Sequence, residues 1–331
     1  MIKKKTTYSE AILEGFDFLL KNFPEVFILG QGLWSPWYVG NSMKDLDIKY
    51  GINRVIDTPV SESATTGMAV GAGISGMRPI VVHPRMDFML YAMDSIVNQA
   101  AKWSYIFGGQ ANSKITIRAI INRGGEQGAQ HSQALHSWFA HIPGLRVVMP
   151  SSVSDARDLL ISSVLCNDPV VYVDDRWLYE QEEELEEIKL IDITKEGPSI
   201  VNKGNDITLV GCGYTSLLLK NIIPELEKHS ISPQIIDLRI LNPLDVSKII
   251  ESVRLTKNLL VVDGGWKNCG ITSEVIASVL ESHSLRDIKI NLKRLALSDC
   301  PAPTSTILEK EYYPNSEKLL ESIFELISQS T

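Results

Sequence analysis

The feature that most constrains this chain is an alternation: short β-branched runs, apolar throughout, are separated by longer stretches with helical spacing. VFILG (26–30), RPIVV (78–82), ITIRAII (115–121), LRVVM (145–149) and PVVYV (169–173) have the length and composition of buried strands. Between them the spacing predicts helices over 8–21, 63–76, 92–107 and 154–166. The last of these has Ser152 or Ser154 to cap its free N–H groups and Asp155 at its positive end. A strand that is apolar on both faces needs cover on both sides, which points to an α/β fold with a mostly parallel sheet flanked by helices.

The pattern pauses after Tyr179, where an acidic run is followed by GPS and KGND turn signals, and it then resumes with ITLVGCG, QIIDLRI, NLLVVDGG and IKINLKRLAL. Two domains are predicted, over 1–180 and 203–331, joined by a surface-exposed acidic linker over 181–202. A chain of 331 residues, 44% hydrophobic and 22% charged, has the size and composition for two globular cores. The formal charge of −8 gives no electrostatic reason to expect nucleic acid or an anionic membrane as partner. Four well-separated cysteines without a CxxC pair argue against a disulfide framework or a thiolate zinc site. Glu10, Glu14 and Asp17 interrupt any signal-peptide core, and no apolar run reaches membrane-spanning length, so a soluble cytoplasmic protein is expected.

Few generic motifs appear. GCG at 211–213 sits between a strand and a helix, with Asp237 near the distance expected of a dinucleotide fingerprint. Ser216 occupies the third glycine position, however, which favours a plain tight turn over a nucleotide site. No Walker loop, HExxH, GxSxG or paired metal-ligand spacing occurs, so no metal ligands are assigned. His131, His136 and His141 fall within eleven residues at a glycine-rich loop, a density that fits a site as well as a structural cluster. Glu62 opens a helix rich in glycine and alanine; the helix dipole alone accounts for a glutamate there, yet the small residues behind it also leave the carboxylate uncrowded.

Several longer blocks carry more. DTPVSESATTGMAVGAGISGMRP, DFMLYAMDSIVNQAAKWSYIFGGQ, GAQHSQALHSWFAHIPGLRVVMPSSVSDARDLL and VVDGGWKNCGITSEV resemble, in order and spacing, the beta subunits of thiamine-diphosphate-dependent 2-oxo acid dehydrogenases of the pyruvate, branched-chain and acetoin type. More broadly they resemble the pyrimidine-binding and C-terminal domains of transketolase-like enzymes. The resemblance implies a pyrimidine-binding first domain and a transketolase-like C-terminal domain. It implies that Glu62 is the acid that hydrogen-bonds the cofactor's pyrimidine and drives it toward the tautomer that deprotonates the thiazolium, a role that burial of the carboxyl would favour. Phe88 falls where the family stacks an aromatic ring on the pyrimidine, and His131 matches a histidine that polarises the substrate carbonyl and shuttles protons, with Ser132 and Gln133 beside it.

The family holds the diphosphate through magnesium with a GDG motif that this chain lacks; the nearest string is VDGG at 262–265. The resemblance therefore implies an alpha subunit that supplies most of the magnesium ligands, an α2β2 assembly, and beta–beta contacts through the C-terminal domains. A lipoyl acyltransferase as receiver of the acyl group belongs to the same picture. The alternative is half of a split transketolase-like enzyme that passes a ketol or acyl unit to an aldehyde or sugar. His83, Arg85 and His136 are substrate-side candidates. His83 and Arg85 depart from the apolar or small residues of pyruvate-type sequences; they are expected either to read a polar or anionic acceptor, such as a sugar phosphate or nucleotide sugar, or equally to form a plain outward-facing surface pair. Cys166 stands near a position that is often acidic at a monovalent-cation site, which leaves bound potassium unsupported.

Overall fold

The structure, a computed structural model, describes residues 5–35 and 37–328. It forms two compact units, one from the residues up to Asn122 plus Trp138–Glu196, the other from Arg123–Ser137 plus the residues from Gly197 onward. The division near 196 lies inside the stretch read as a linker, while the glycine-rich segment 123–137 is built into the second unit.

In the first unit six parallel strands, β1 (Val26–Gly30), β2 (Val55–Asp57), β3 (Arg78–His83), β4 (Thr116–Ile121), β5 (Arg146–Val148) and β6 (Val170–Asp175), run in the order β5-β6-β4-β3-β1-β2. Helix α1 (Tyr8–Asn22) is started by a capping box: the Thr7 hydroxyl accepts from the Glu10 N–H, and the Glu10 carboxylate accepts from the Thr7 N–H at 2.9 Å. α1 packs on α3 (Val153–Leu165), where Gly15 lets Leu160 and the Arg157 backbone approach; α3 is capped by Ser152. Helix α2 (Glu62–Ile74) covers β3 and opens with Glu62 as its first residue.

Two expectations are corrected. The stretch 92–107 is not one α-helix: a 3-10 turn (Phe88–Ala92) runs into its start and is followed by a π-helical segment (Asp94–Ala100) and a short α-helix (Ala101–Ile106). Nor is 181–202 a bare linker. Glu182–Glu184 pairs antiparallel with Lys5–Thr7, setting Lys5 opposite Glu184, and Ser199–Asn202 is an edge strand of the second sheet. Charged side chains suit such an edge because they discourage further strand pairing, so acidity here marks an edge as well as a solvated surface.

The second unit holds β7 (Ser199–Asn202), β8 (Ile207–Gly211), β9 (Pro233–Asp237), β10 (Asn258–Trp266) and β11 (Asn291–Leu297) in the order β11-β10-β8-β9-β7, parallel except for β7. Ile207, Leu209, Leu219, Ile235, Leu260 and Ile323 are fully buried in its core. Among the described residues no helix is long and apolar enough to cross a membrane.

Candidate active-site cleft

The carboxyl ends of β1, β2 and β3 meet in register, with Gly30 opposite both Asp57 and Val82. Strand ends of this kind are where open α/β sheets present ligand-binding crevices. The strands approach closely here: a Cβ on Gly30 would lie 2.4 Å from the Val82 carbonyl oxygen. Asp57 accepts from the Gly32 N–H at 2.7 Å and so fixes the turn that leaves β1.

This end of the sheet and the first turn of α2 enclose a cleft whose walls include Gln31, Tyr38, Glu62, His83, Arg85 and Phe88. Glu62 is half-buried, as is Phe88. The cleft thus places a carboxylate and a phenyl ring in one wall, the pairing a flat heteroaromatic ring needs for an edge hydrogen bond and a stacked face. Thr65 and Thr66, one turn further along α2, are buried.

His83 ends β3 and is only 3% exposed, with Nε2 3.3 Å from the Thr66 hydroxyl. Burial pushes its imidazole down to about 4, so it is neutral at pH 7. The sequence treats His83 and Arg85 as a cationic pair; at neutral pH the charge rests on Arg85 alone. The Arg85 guanidinium is held below its ordinary value, first by burial and then by nearby Arg176, with Asp87 and Tyr38 acting in the opposite sense.

His131 and His136 both belong to the segment that is built into the second unit. His131 is half-buried. His136 has no exposed surface, and its Nε2 lies 3.0 Å from the Asp263 carboxylate. The Cys212 thiol, from the GCG turn, donates to the same carboxylate at 3.6 Å. Burial pushes the Asp263 carboxyl up, but His136 and Arg123 outweigh it and hold it below its usual value. Gly265 makes room, since a Cβ there would meet Asp263 Oδ2 at 2.8 Å. His136 therefore serves the interior of the second unit, whereas Glu62, Phe88, His83 and Arg85 share the cleft.

Asp237 is likewise engaged. It accepts from the Ser216 hydroxyl at 2.9 Å and is 1% exposed, which is the environment of a tight turn and not of an acid waiting for a ribose. Sequence reasoning missed Gln31, Tyr38 and Arg176. Gln31 donates to the Tyr38 hydroxyl at 2.9 Å, and Arg176 donates to the Tyr38 carbonyl. Gln31 was within reach, because it directly follows a strand end; Arg176 reaches Tyr38 only through the fold.

Comparison with known proteins bears on the family and the fold. The model of the transketolase pyrimidine-binding domain matches residues 4–181, and that of the transketolase C-terminal domain matches 198–319. The chain is 36% identical over 326 residues to the acetoin:2,6-dichlorophenolindophenol oxidoreductase subunit beta of Cupriavidus necator, covering 96% of each. It is 34% identical over 324 residues to the mitochondrial pyruvate dehydrogenase E1 component subunit beta-1 of Arabidopsis thaliana, covering 96% of this chain and 88% of that one. A solved structure described as a split gene transketolase, inactive beta4 tetramer, superposes with a TM-score of 0.75 over 97% of this chain and 96% of its own; at 18% identity that likeness concerns the fold.

Proposed function

The chain belongs to the family of the pyruvate and acetoin dehydrogenase beta subunits, built from transketolase pyrimidine-binding and C-terminal domains, and from that premise we propose that it is the beta subunit of a thiamine-diphosphate-dependent 2-oxo acid decarboxylating dehydrogenase of the cytoplasm. It supplies the pyrimidine side of an active site shared with an alpha subunit. The observation that carries the reading is Glu62, half-buried at the first turn of α2 in a cleft that also holds Phe88.

The donor set in the cleft fits the pyrimidine half of the cofactor. Phe88 would offer a face to the ring, and Glu62 would hydrogen-bond a ring nitrogen. Thiamine diphosphate, when bound, would supply a carbon nucleophile for the 2-oxo acid. The remaining work of this chain is to exclude water around the Glu62 proton and to orient the ring. His131 is the candidate for donating to the substrate carbonyl.

Among the described residues the one cluster of three potential metal ligands is His136, Cys212 and Asp263, a nitrogen, sulfur and oxygen set. Magnesium prefers oxygen ligands in octahedral array, so the diphosphate–magnesium ligands fall to the alpha subunit in an α2β2 assembly. The second reading, half of a split transketolase-like enzyme, draws on the same fold and differs in the acceptor: an aldehyde or sugar in place of a lipoyl domain.

The test is calorimetric titration of thiamine diphosphate with magnesium into this chain alone and into the chain co-expressed with its alpha subunit. Tight binding in the mixture alone, with turnover abolished by Glu62→Gln, is the expected result. Tight magnesium-dependent binding by the isolated chain would overturn the shared-site reading. Product analysis with a lipoyl domain against a sugar aldehyde separates the two acceptor classes.

A further inference from the structure

The cleft contains a charge that the pyrimidine-side chemistry does not use. Arg85 lies two residues beyond β3, and its Nη1 is enclosed without a hydrogen-bond partner. A buried guanidinium nitrogen left unpaired is costly, because water's hydrogen bonds are lost and nothing replaces them. A second guanidinium acts on it. Arg176 donates to the carbonyl of Tyr38, a residue of the cleft wall, and its own Nε is also enclosed without a partner.

Repulsion from Arg176 is thus felt at Arg85, with Asp87 and Tyr38 acting in the opposite sense. The other acids nearby are committed. Asp57 holds the Gly32 N–H, and Glu62 is assigned to the pyrimidine. His83 adds no charge at neutral pH, so the cationic charge among the residues lining the cleft rests on Arg85.

We propose that Arg85, backed by Arg176, binds an anionic group, phosphate or carboxylate, that the substrate carries away from its reacting carbonyl. This rests on the active-site reading above and narrows it. A planar fork whose Nη1 has no hydrogen-bond partner matches either anion, and such charge-assisted pairs are the strong ones. The anion is carried either by the tail of the 2-oxo acid or by the tail of an aldehyde acceptor.

The experiment uses the co-purified alpha–beta assembly with thiamine diphosphate and magnesium. One series compares pyruvate with 2-oxoglutarate and 3-phosphohydroxypyruvate as donors; the other compares glyceraldehyde with glyceraldehyde 3-phosphate as acceptors. The wild type is expected to favour the anionic member by at least about tenfold in kcat/KM in one series, which identifies the carrier. Arg85→Gln is expected to raise KM for that member by about 10–100-fold, the worth of a hydrogen bond to a charged group, with Arg85→Lys restoring part of it and cofactor affinity unchanged. Equal kcat/KM across both series overturns the proposal. So does a preference that survives Arg85→Gln, or a KM loss matched by an equal loss of cofactor affinity. If no compound turns over, the dehydrogenase reading itself fails. Inorganic phosphate titrated into the full chain then decides: binding lost in Arg85→Gln supports the anion site, and binding that does not differ between the two proteins ends it.

Discussion

At residue scale the cleft contains two groups whose ionisation matters in opposite ways. In the proposed mechanism Glu62 exchanges a proton with a ring nitrogen, so Glu62→Gln, nearly isosteric, keeps the shape and removes that exchange. Loss of a positioned acid–base group costs on the order of 10²–10⁴ in rate. The expected outcome is a fall of kcat in that range with the assembly intact by gel filtration, and a variant within threefold of wild type would remove Glu62 from the mechanism. His83 must stay neutral. Folded, its imidazole takes a proton only near pH 4, whereas in the unfolded chain it does so near pH 6.5. Between those values the unfolded state binds more protons, so stability is full above about pH 6.5 and is lost as the pH falls toward 4, by on the order of 3 kcal/mol. Urea unfolding of wild type and His83→Gln at pH 7.5 and pH 5 checks this: the variant should lose less stability over that interval. Equal losses would mean that the imidazole is not the titrating group.

At the scale of elements, the cleft depends on how closely β1 and β3 run at their carboxyl ends. Gly30→Ala sets a Cβ 2.4 Å from the Val82 carbonyl, a backbone atom that cannot swing away, so the two strand ends must part. The expected cost is about 1–3 kcal/mol, the usual range for overpacking, with a lower Tm and weaker cofactor binding in the alpha–beta assembly. An unchanged Tm would show that the strand ends yield freely. The strands and most helices were legible in the sequence because each has one strong local signal: a short apolar run, or a cap such as Ser152. The 88–107 stretch was not, since its apolar spacing reads as helical while hydrogen-bond partners one residue nearer or further give 3-10 and π turns, and such irregular turns recur at functional sites. ITIRAII also hid a polar device. Arg118 in the middle of that strand is fully buried against Asp174, with Tyr179 completing the network at 2.7 Å from the same carboxylate. Cross-strand pairing of that kind depends on register, which composition does not encode. Glu62 and Phe88, singled out by the family motifs, do line one cleft, whereas the burial that neutralises His83 and the pairing that encloses His136 appear only once the sheet and the 123–137 segment are placed.

At the scale of the whole molecule, the surface of the first unit bears on the proposed assembly. Along the 88–107 segment Tyr91 is 73% exposed, Tyr105 90%, Ile106 63% and Phe107 47%. Single exposed apolar residues are ordinary, but several on one short segment that also bounds the cleft through Phe88 form the kind of surface that a partner covers. An active site shared with an alpha subunit, as proposed, would be completed from outside the chain, and a partner seated over this segment would bring the second half to the cleft. Tyr105→Glu places a charge where a buried interface would have to desolvate it, while in the free chain the position is almost fully exposed and the substitution should change stability by no more than about 0.5 kcal/mol. The expected outcome is a chain with wild-type Tm that no longer co-purifies with the alpha subunit and no longer binds thiamine diphosphate. Retained co-purification would move the interface elsewhere. Retained cofactor binding by the uncomplexed variant would show that the chain holds the diphosphate itself, because a site that needs two subunits cannot survive the loss of one.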